Sequence, residues 1–198
     1  MDCRILIDFL GKIEKLKCNT RHCFTTTGRP ESVAEHSWRL AVLAMLVADE
    51  YPDTDMDKVI KMCLVHDFGE AVTGDIPAFW KTESHEATEK EAVKELLSPL
   101  PEKTRNGLSE LFDEMEARQT PEAKLWKALD NIEAVIAHNE SDISTWIPNE
   151  YHDNLVYGEE NCRFSITPVS CVRFSRRTAS KKLKKRERND QILCCDCP

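Results

Sequence analysis

An all-helical bundle is the fold this sequence predicts, on three observations. Glycine is scarce, at 6 of 198 residues. Strand-like alternation of apolar and polar residues is almost absent. Apolar residues instead recur at three- and four-residue spacing, in stretches bounded by capping residues and prolines.

The first helix is expected over about residues 3–17, with Ile5, Leu6, Phe9, Leu10, Ile13 and Leu16 on one stripe. The polar stretch CNTRHCFTTTGRPE, rich in Thr and closing on Pro30, reads as a loop. Ser32 and Glu35 then have the spacing of a capping box, in which each side chain bonds the other's free backbone N–H. That second helix runs to about Glu50, where Tyr51-Pro52 stops it. A third begins near Asp55, carries Val59, Ile60, Cys63 and Leu64 inward, and ends near Gly69. AVTGDIP reads as a loop with Gly74 and Pro77 as breakers. Helices follow over about 83–97 and 101–117. Thr120-Pro121 is an N-cap followed by proline at the first helical position. It opens a long helix burying Leu125, Trp126, Leu129, Ile132, Val135 and Ile136, and a shorter helix is expected over about 149–157.

A chain of this size suits one domain with a substantial core. Its 41% hydrophobic and 31% charged residues are a globular balance. No apolar run approaches the roughly 20 residues needed to span a bilayer, and MDCRILIDFLGKIEKLK lacks a small-residue cleavage site, so a cytoplasmic protein is expected. Nine cysteines, an odd and scattered set, are not a disulfide framework. Residues 1–162 hold 17 Lys and Arg against 32 Asp and Glu, which argues against nucleic acid as a partner.

The stretch LVHDFGE ends an apolar run with a histidine and two carboxylates. Buried carboxylates are rare unless paired or bound to metal. Asp130 is a second anomaly, lying mid-helix between Leu129 and Ile132, and His36 a third, in the first turn after the capping box. His36, His66, Asp67 and Asp130 are ligand types that suit Mn, Fe, Co, Ni or Zn and leave room for water. Ligands separated by 30 and 63 residues have no local geometry, so spacing alone does not establish that they meet. Trp126 reads as core; His85, His138 and His152 as surface residues; and Glu83, Glu86, Glu89, Glu91 and Glu95 as a solvated helix face.

EHS, then LVHDFGE, then ALDNIE together resemble the H…HD…D pattern of the HD-domain metal-dependent phosphohydrolases. More narrowly, TRH…GRPESVAEHSWR, LVHDFGEAVTGDIP and AKLWKALDNIEAVIAH resemble the bacterial 5′-deoxynucleotidases and their HD domain-containing relatives, over roughly residues 3–160. The resemblance implies a helical bundle around a divalent metal such as Co²⁺ or Mn²⁺, phosphomonoesterase activity on a nucleotide, and a homodimer. It implies His36, His66, Asp67 and Asp130 as ligands and Glu70 as the residue that positions or deprotonates the attacking water. Arg21 matches a phosphate-contacting arginine. His22 stands where some members have tryptophan, and Asp75 matches a residue that holds a sugar hydroxyl. Arg29 reads as either a second phosphate contact or a structural one.

After about Phe164 the resemblance stops. The domain is therefore taken as 1–162, followed by a basic, cysteine-ended and poorly ordered tail over 163–198, with 10 Lys and Arg against 3 acids. The abrupt change reads as an altered reading frame or a divergent ending, which translating the coding DNA in its other frames would decide. Two alternatives to a 5′-monophosphatase stay open: an HD phosphohydrolase for a cyclic or pyrophosphorylated nucleotide, and a non-catalytic helical metal-binding module.

Overall fold

A computed structural model describes residues 1–77, 80–163, 170 and 177–186. Nine helices are described between Cys3 and Cys162: α1 (Cys3–Ile13), α2 (Val33–Leu46), α3 (Met56–Val65), α4 (Glu70–Thr73), α5 (Glu83–Leu97), α6 (Glu102–Ala117), α7 (Pro121–Glu140), α8 (Glu150–Val156) and α9 (Glu159–Cys162). A short antiparallel ribbon, β1 (Thr20–Phe24) with β2 (Pro30–Ser32), precedes α2.

The middle of the bundle is α2, α3 and α7 packed on one another. Leu40 and Ala44 from α2 meet Val59, Met62 and Cys63 from α3 and Leu125, Ala128, Leu129 and Ile132 from α7, all buried. Each fully buried Leu or Ile contributes about 1.5–3 kcal/mol, so this seam fixes the relative height of the three helices that carry the candidate ligands. A second cluster of Val93, Leu97 and Leu100 takes in Leu108 and Phe112 from α6 and Ile5 and Phe9 from α1. The stripe expected along α1 is thus only partly buried: Ile13 packs beside Leu16, whereas Leu6 and Leu10 face outward.

The caps behave as their chemistry requires. Ser32 and Glu35 form the reciprocal capping box of α2, and the Thr120 side chain accepts from Ala123 N at the start of α7. Four boundaries differ from expectation, the first being that α1 gives way at Ile13 to a 3₁₀ turn over Glu14–Lys17. The polar stretch before α2 is a ribbon, because Thr25 N donates to Arg29 O and Gly28 turns with φ of 83°; a positive φ suits glycine, which has no Cβ. The second α-helix ends at Leu46, with Ala48–Glu50 a tighter 3₁₀ turn. The third stops at Val65 rather than near Gly69, the turns that follow lead into α4, and Glu70 therefore opens a helix instead of closing one.

Gly69 lets α5 lie close over those turns. An added Cβ would sit 2.5 Å from Glu89 Cγ, 3.0 Å from Glu89 O and 3.2 Å from Val93 Cγ2. Overpacking of this kind costs about 1–3 kcal/mol. Gly69→Ala is expected to lower the urea midpoint accordingly with an unchanged m value. An unaltered midpoint would mean that α5 is free to shift.

Residues 177–186, assigned from sequence to a poorly ordered tail, are helical where described. Ala179 is fully buried, Lys182 lies over the Trp146 ring and Arg186 over Tyr151. The Cys194, Cys195 and Cys197 cluster lies outside the described residues. No helix among the described residues is long and apolar enough to cross a membrane.

Candidate metal centre and cleft

His36, His66 and Asp67 each offer one donor atom, and the three atoms lie within 4.8 Å of one another. Asp130 joins them from α7: its Oδ1 is 3.2 Å from His36 Nε2 and 3.7 Å from His66 Nε2. Asp67 Oδ2 lies 3.1 Å from His66 Nε2. The packing of α2, α3 and α7 thus joins residues that the sequence separates by up to 94 positions.

The ring nitrogens reveal what this cluster is built to hold. His66 Nδ1 lies 2.9 Å from the Cys63 carbonyl, which can only accept, so Nδ1 carries the hydrogen. His36 Nδ1 is bonded to the buried Glu133 carboxylate and carries its hydrogen for the same reason. Both Nε2 atoms are then lone pairs facing carboxylate oxygens. Acceptor against acceptor is unfavourable unless a proton or cation lies between them. A divalent transition metal fits, and imidazoles oriented through their other nitrogen are the usual support for one. Trp126, edge-on to the His66 ring at 5.7 Å between centroids, restricts that ring further.

Charge in the site follows the same arrangement. Burial and Arg21 push His36 down, but Asp130 and Glu133 outweigh them and raise it to about 9. Burial pushes Asp67 up, yet His66 holds it near 2. Burial likewise opposes ionisation of Asp130, which Lys127 and His36 nonetheless keep well below the usual carboxylate range. The carboxylate field that favours a proton on His36 favours a metal cation more strongly.

From sequence, the alternative to a catalytic role for Glu70 is an exposed glutamate near a helix C-terminus. It is buried instead, and burial, then Asp67, Asp75 and Glu89, raise it to about 10. Its Oε2 has no hydrogen-bond partner among the described residues. Asn19 anchors the same residue by donating from its side chain to the Glu70 carbonyl.

A cleft of about 460 Å³ opens from the cluster. Arg21, His22 and Asp75 all line it, so every residue proposed from sequence for the site reaches one cavity. Arg21 is held 3.1 Å from Glu31 and 3.5 Å from Glu133. His22 Nδ1 lies 2.9 Å from Glu150 Oε1. Arg29 is outside the cleft, bonded to exposed Glu35, a structural contact.

Several residues in or around the site escaped the sequence reading. His138, expected on the surface, lines the cleft, and burial together with Arg21 and His22 lowers it to about 4. It stands eight residues after Asp130 on the same face of α7, a spacing that could have flagged it. Lys127, three residues before Asp130, reaches Asp130 Oδ2 at 2.7 Å. Glu133, three residues after it, pins His36. Glu150 and Asn154 carry no comparable signal, because α8 is brought to the cleft only by tertiary packing. Glu89, read as solvated, is paired with Lys81 over the turns around Gly69.

Comparison with known proteins agrees with this arrangement. The chain is 36% identical over 155 residues to 5′-deoxynucleotidase HDDC2 of Homo sapiens, covering 76% of this chain and 74% of that protein. A crystal structure from Magnetospirillum magnetotacticum MS-1, described as a predicted metal-dependent phosphohydrolase, superposes with a TM-score of 0.75 at 27% identity, covering 92% and 93% of the two chains. The cyanophage S-2L HD phosphohydrolase DatZ, bound to dA and one catalytic Zn²⁺, superposes with a TM-score of 0.56 at 25% identity over 86% and 95%. The HD domain profile matches residues 13–167, a span that contains both histidines and both aspartates of the cluster. With helices, cluster and profile in agreement, this chain belongs to the HD domain family.

Proposed function

We propose that the chain hydrolyses deoxynucleoside 5′-monophosphates to nucleoside and inorganic phosphate, with a divalent transition metal held by His36, His66, Asp67 and Asp130. The observation that carries this is the convergence of two imidazole lone pairs and two carboxylates at the mouth of a cleft. The deoxynucleotidase relative and the dA- and Zn²⁺-bound neighbour support the substrate class. Imidazole and carboxylate suit Mn, Fe, Co, Ni and Zn alike. Such a cation lowers the pKa of water from about 15.7 toward 7 and polarises a phosphoryl oxygen.

The chain's own side chains supply the rest. Arg21, a permanently charged guanidinium facing the cleft, suits a phosphate dianion. Lys127 adds a second cation beside Asp130. Glu70 is our choice for the group that takes a proton from the attacking water, supported by its buried, unpartnered Oε2. Asp75, partly buried in the cleft wall, is our choice for a sugar hydroxyl, and His22 is proposed to touch the nucleoside.

Metal analysis of the purified protein, with phosphate release from a panel of nucleotides in Mn²⁺ or Co²⁺, tests the reading. Release from deoxynucleoside monophosphates is expected. Release only from cyclic or pyrophosphorylated nucleotides would transfer the chain to another substrate class, and no release at all would leave a metal-binding module.

Glu133 offers an independent check. Losing a carboxylate that orients a ligating imidazole typically costs 10–100-fold in metal affinity. Glu133→Gln is therefore expected to weaken Mn²⁺ binding by about 10–100-fold in calorimetry. Unchanged affinity would show that His36 needs no such support.

The reading assigns catalysis to residues 1–162 and leaves 163–198 accessory, supported by every site residue lying before Cys162. It also takes the protein as a cytoplasmic homodimer. Free thiols at Cys3, Cys18, Cys23, Cys63 and Cys162 agree with a reducing compartment. Exposed Ile7, Leu10, Trp38 and Met45 offer apolar surface for a second copy. A monomer mass in light scattering, or a tagged chain found outside the cytoplasm, would remove the corresponding part.

A further inference from the structure

We propose that Asn154 holds the nucleobase of the substrate by donating a hydrogen bond to it, so that the wall formed by α7 and α8 holds the nucleoside while the metal cluster holds the phosphate. This rests on the chain being a nucleotide phosphohydrolase.

The two helices run antiparallel along the cleft. At one end Glu150 Oε1 lies 3.5 Å from His138 Nδ1. At the other, Gly158 fits so closely against Asn131 that a Cβ there would come within 2.6 Å of Asn131 Cβ. Asn154 falls between Glu150 and Gly158 in the chain and lines the cleft together with Ala134 and Val135. Asp130, Ala134 and His138 share a face of α7 at four-residue steps of about 6 Å each. A nucleotide whose phosphate sits at the level of Asp130 spends the first step on C5′ and the furanose. The near edge of its base then reaches Asn154.

Asn154 is only 5% exposed, yet its Nδ2 has no hydrogen-bond partner among the described residues. Buried donors are nearly always satisfied, so one lining a cleft is an orphan that a ligand acceptor completes. Purine N3 and pyrimidine O2 are acceptors on the sugar-side edge of the base. A donor aimed there holds the base without strongly discriminating among bases.

The far end of the cleft suits an uncharged ring. Glu150 is engaged by His22 at 2.9 Å and accepts from Ile147 N at 2.8 Å. Burial keeps His138 neutral there. A second phosphate would find no unengaged cation among these groups, whereas a polar heterocycle finds hydrogen-bonding partners.

The test compares kcat/KM for deoxynucleoside 5′-monophosphates with that for 2-deoxyribose 5-phosphate, which has no base. In Asn154→Ala the ratio of the two is expected to fall about tenfold, the usual effect of one lost hydrogen bond. Asn154→Asp, with the same shape but no donor, should lower it at least as much. A ratio unchanged in both variants, or both substrates falling together, overturns the proposal. Calorimetry with deoxyadenosine needs no turnover and separates this inference from the reading beneath it. Should the wild-type protein hydrolyse neither substrate, weaker deoxyadenosine binding by Asn154→Ala would still support the base contact. Equal binding would end it.

Discussion

Asp67→Ala is expected to reduce metal-dependent phosphate release by at least about 10³-fold, equivalent to about 4 kcal/mol of transition-state stabilisation. Asp67 is nearly enclosed, ionised down to about pH 2, and 3.1 Å from His66 Nε2. Alanine there removes a donor without offering a replacement. The remaining imidazoles keep their orientation through Cys63 O and Glu133, so the lesion is confined to the missing carboxylate. Two readouts separate a lost metal from a lost fold. Wild type in metal at a hundred times Kd gains about 2.7 kcal/mol. For a chain of this size that raises the melting temperature by about 5–10 °C. The variant is expected to melt cooperatively but to show little or no metal-dependent rise. Turnover within about tenfold of wild type, or an undiminished metal shift, would remove Asp67 from the site.

The sequence made the central helices legible because their ends are marked chemically. The Ser32–Glu35 box and Thr120-Pro121 each fix where a helix begins, and α2 and α7 start there. The seam among α2, α3 and α7 followed from apolar spacing, and the seam brings His36 and Asp130 into contact. What could not be read was the local chain path between helices. The ribbon at residues 20–32 is too short, and its Thr run too polar, for alternation to stand out; only Arg21 and Cys23 hint at a common face. The turns after Val65 were hidden because no glycine or proline stands before Gly69 to mark the helix end. Glu70 was singled out through the resemblance, and its burial was not legible because it opens α4 rather than trailing the end of α3. His138 was misread because no single residue announces a cleft. Only its register with Asp130 does, and that register matters once Asp130 is known to face inward. Asn154 and Glu150 lay beyond reach, since their placement depends on how α8 folds back along α7.

Glu70→Gln is expected to lower kcat by about 10²–10⁴-fold, the usual contribution of a positioned general acid or base, while metal stays bound. Glutamine keeps the length and planarity of glutamate but takes no proton at neutral pH. KM should change little, because the substitution removes an interaction made in the transition state rather than in the bound substrate. Its effect on metal-free protein runs the opposite way. Burial and the neighbouring Asp67, Asp75 and Glu89 raise the Glu70 carboxyl to about 10, far above the ordinary 4.5. A carboxyl whose folded pKa is raised favours folding below its unfolded pKa, and that contribution drains away as pH climbs from about 4.5 toward 10. Metal-free Glu70→Gln, neutral throughout, should therefore melt above metal-free wild type at pH 8, with the gap closing near pH 4.5. In metal-loaded wild type a cation beside the carboxylate favours the ionised form. Its rate should rise with pH through the Glu70 titration, and glutamine should flatten that limb. Full activity in the glutamine variant, with the limb intact, would transfer the proton-accepting role to another group in the cleft.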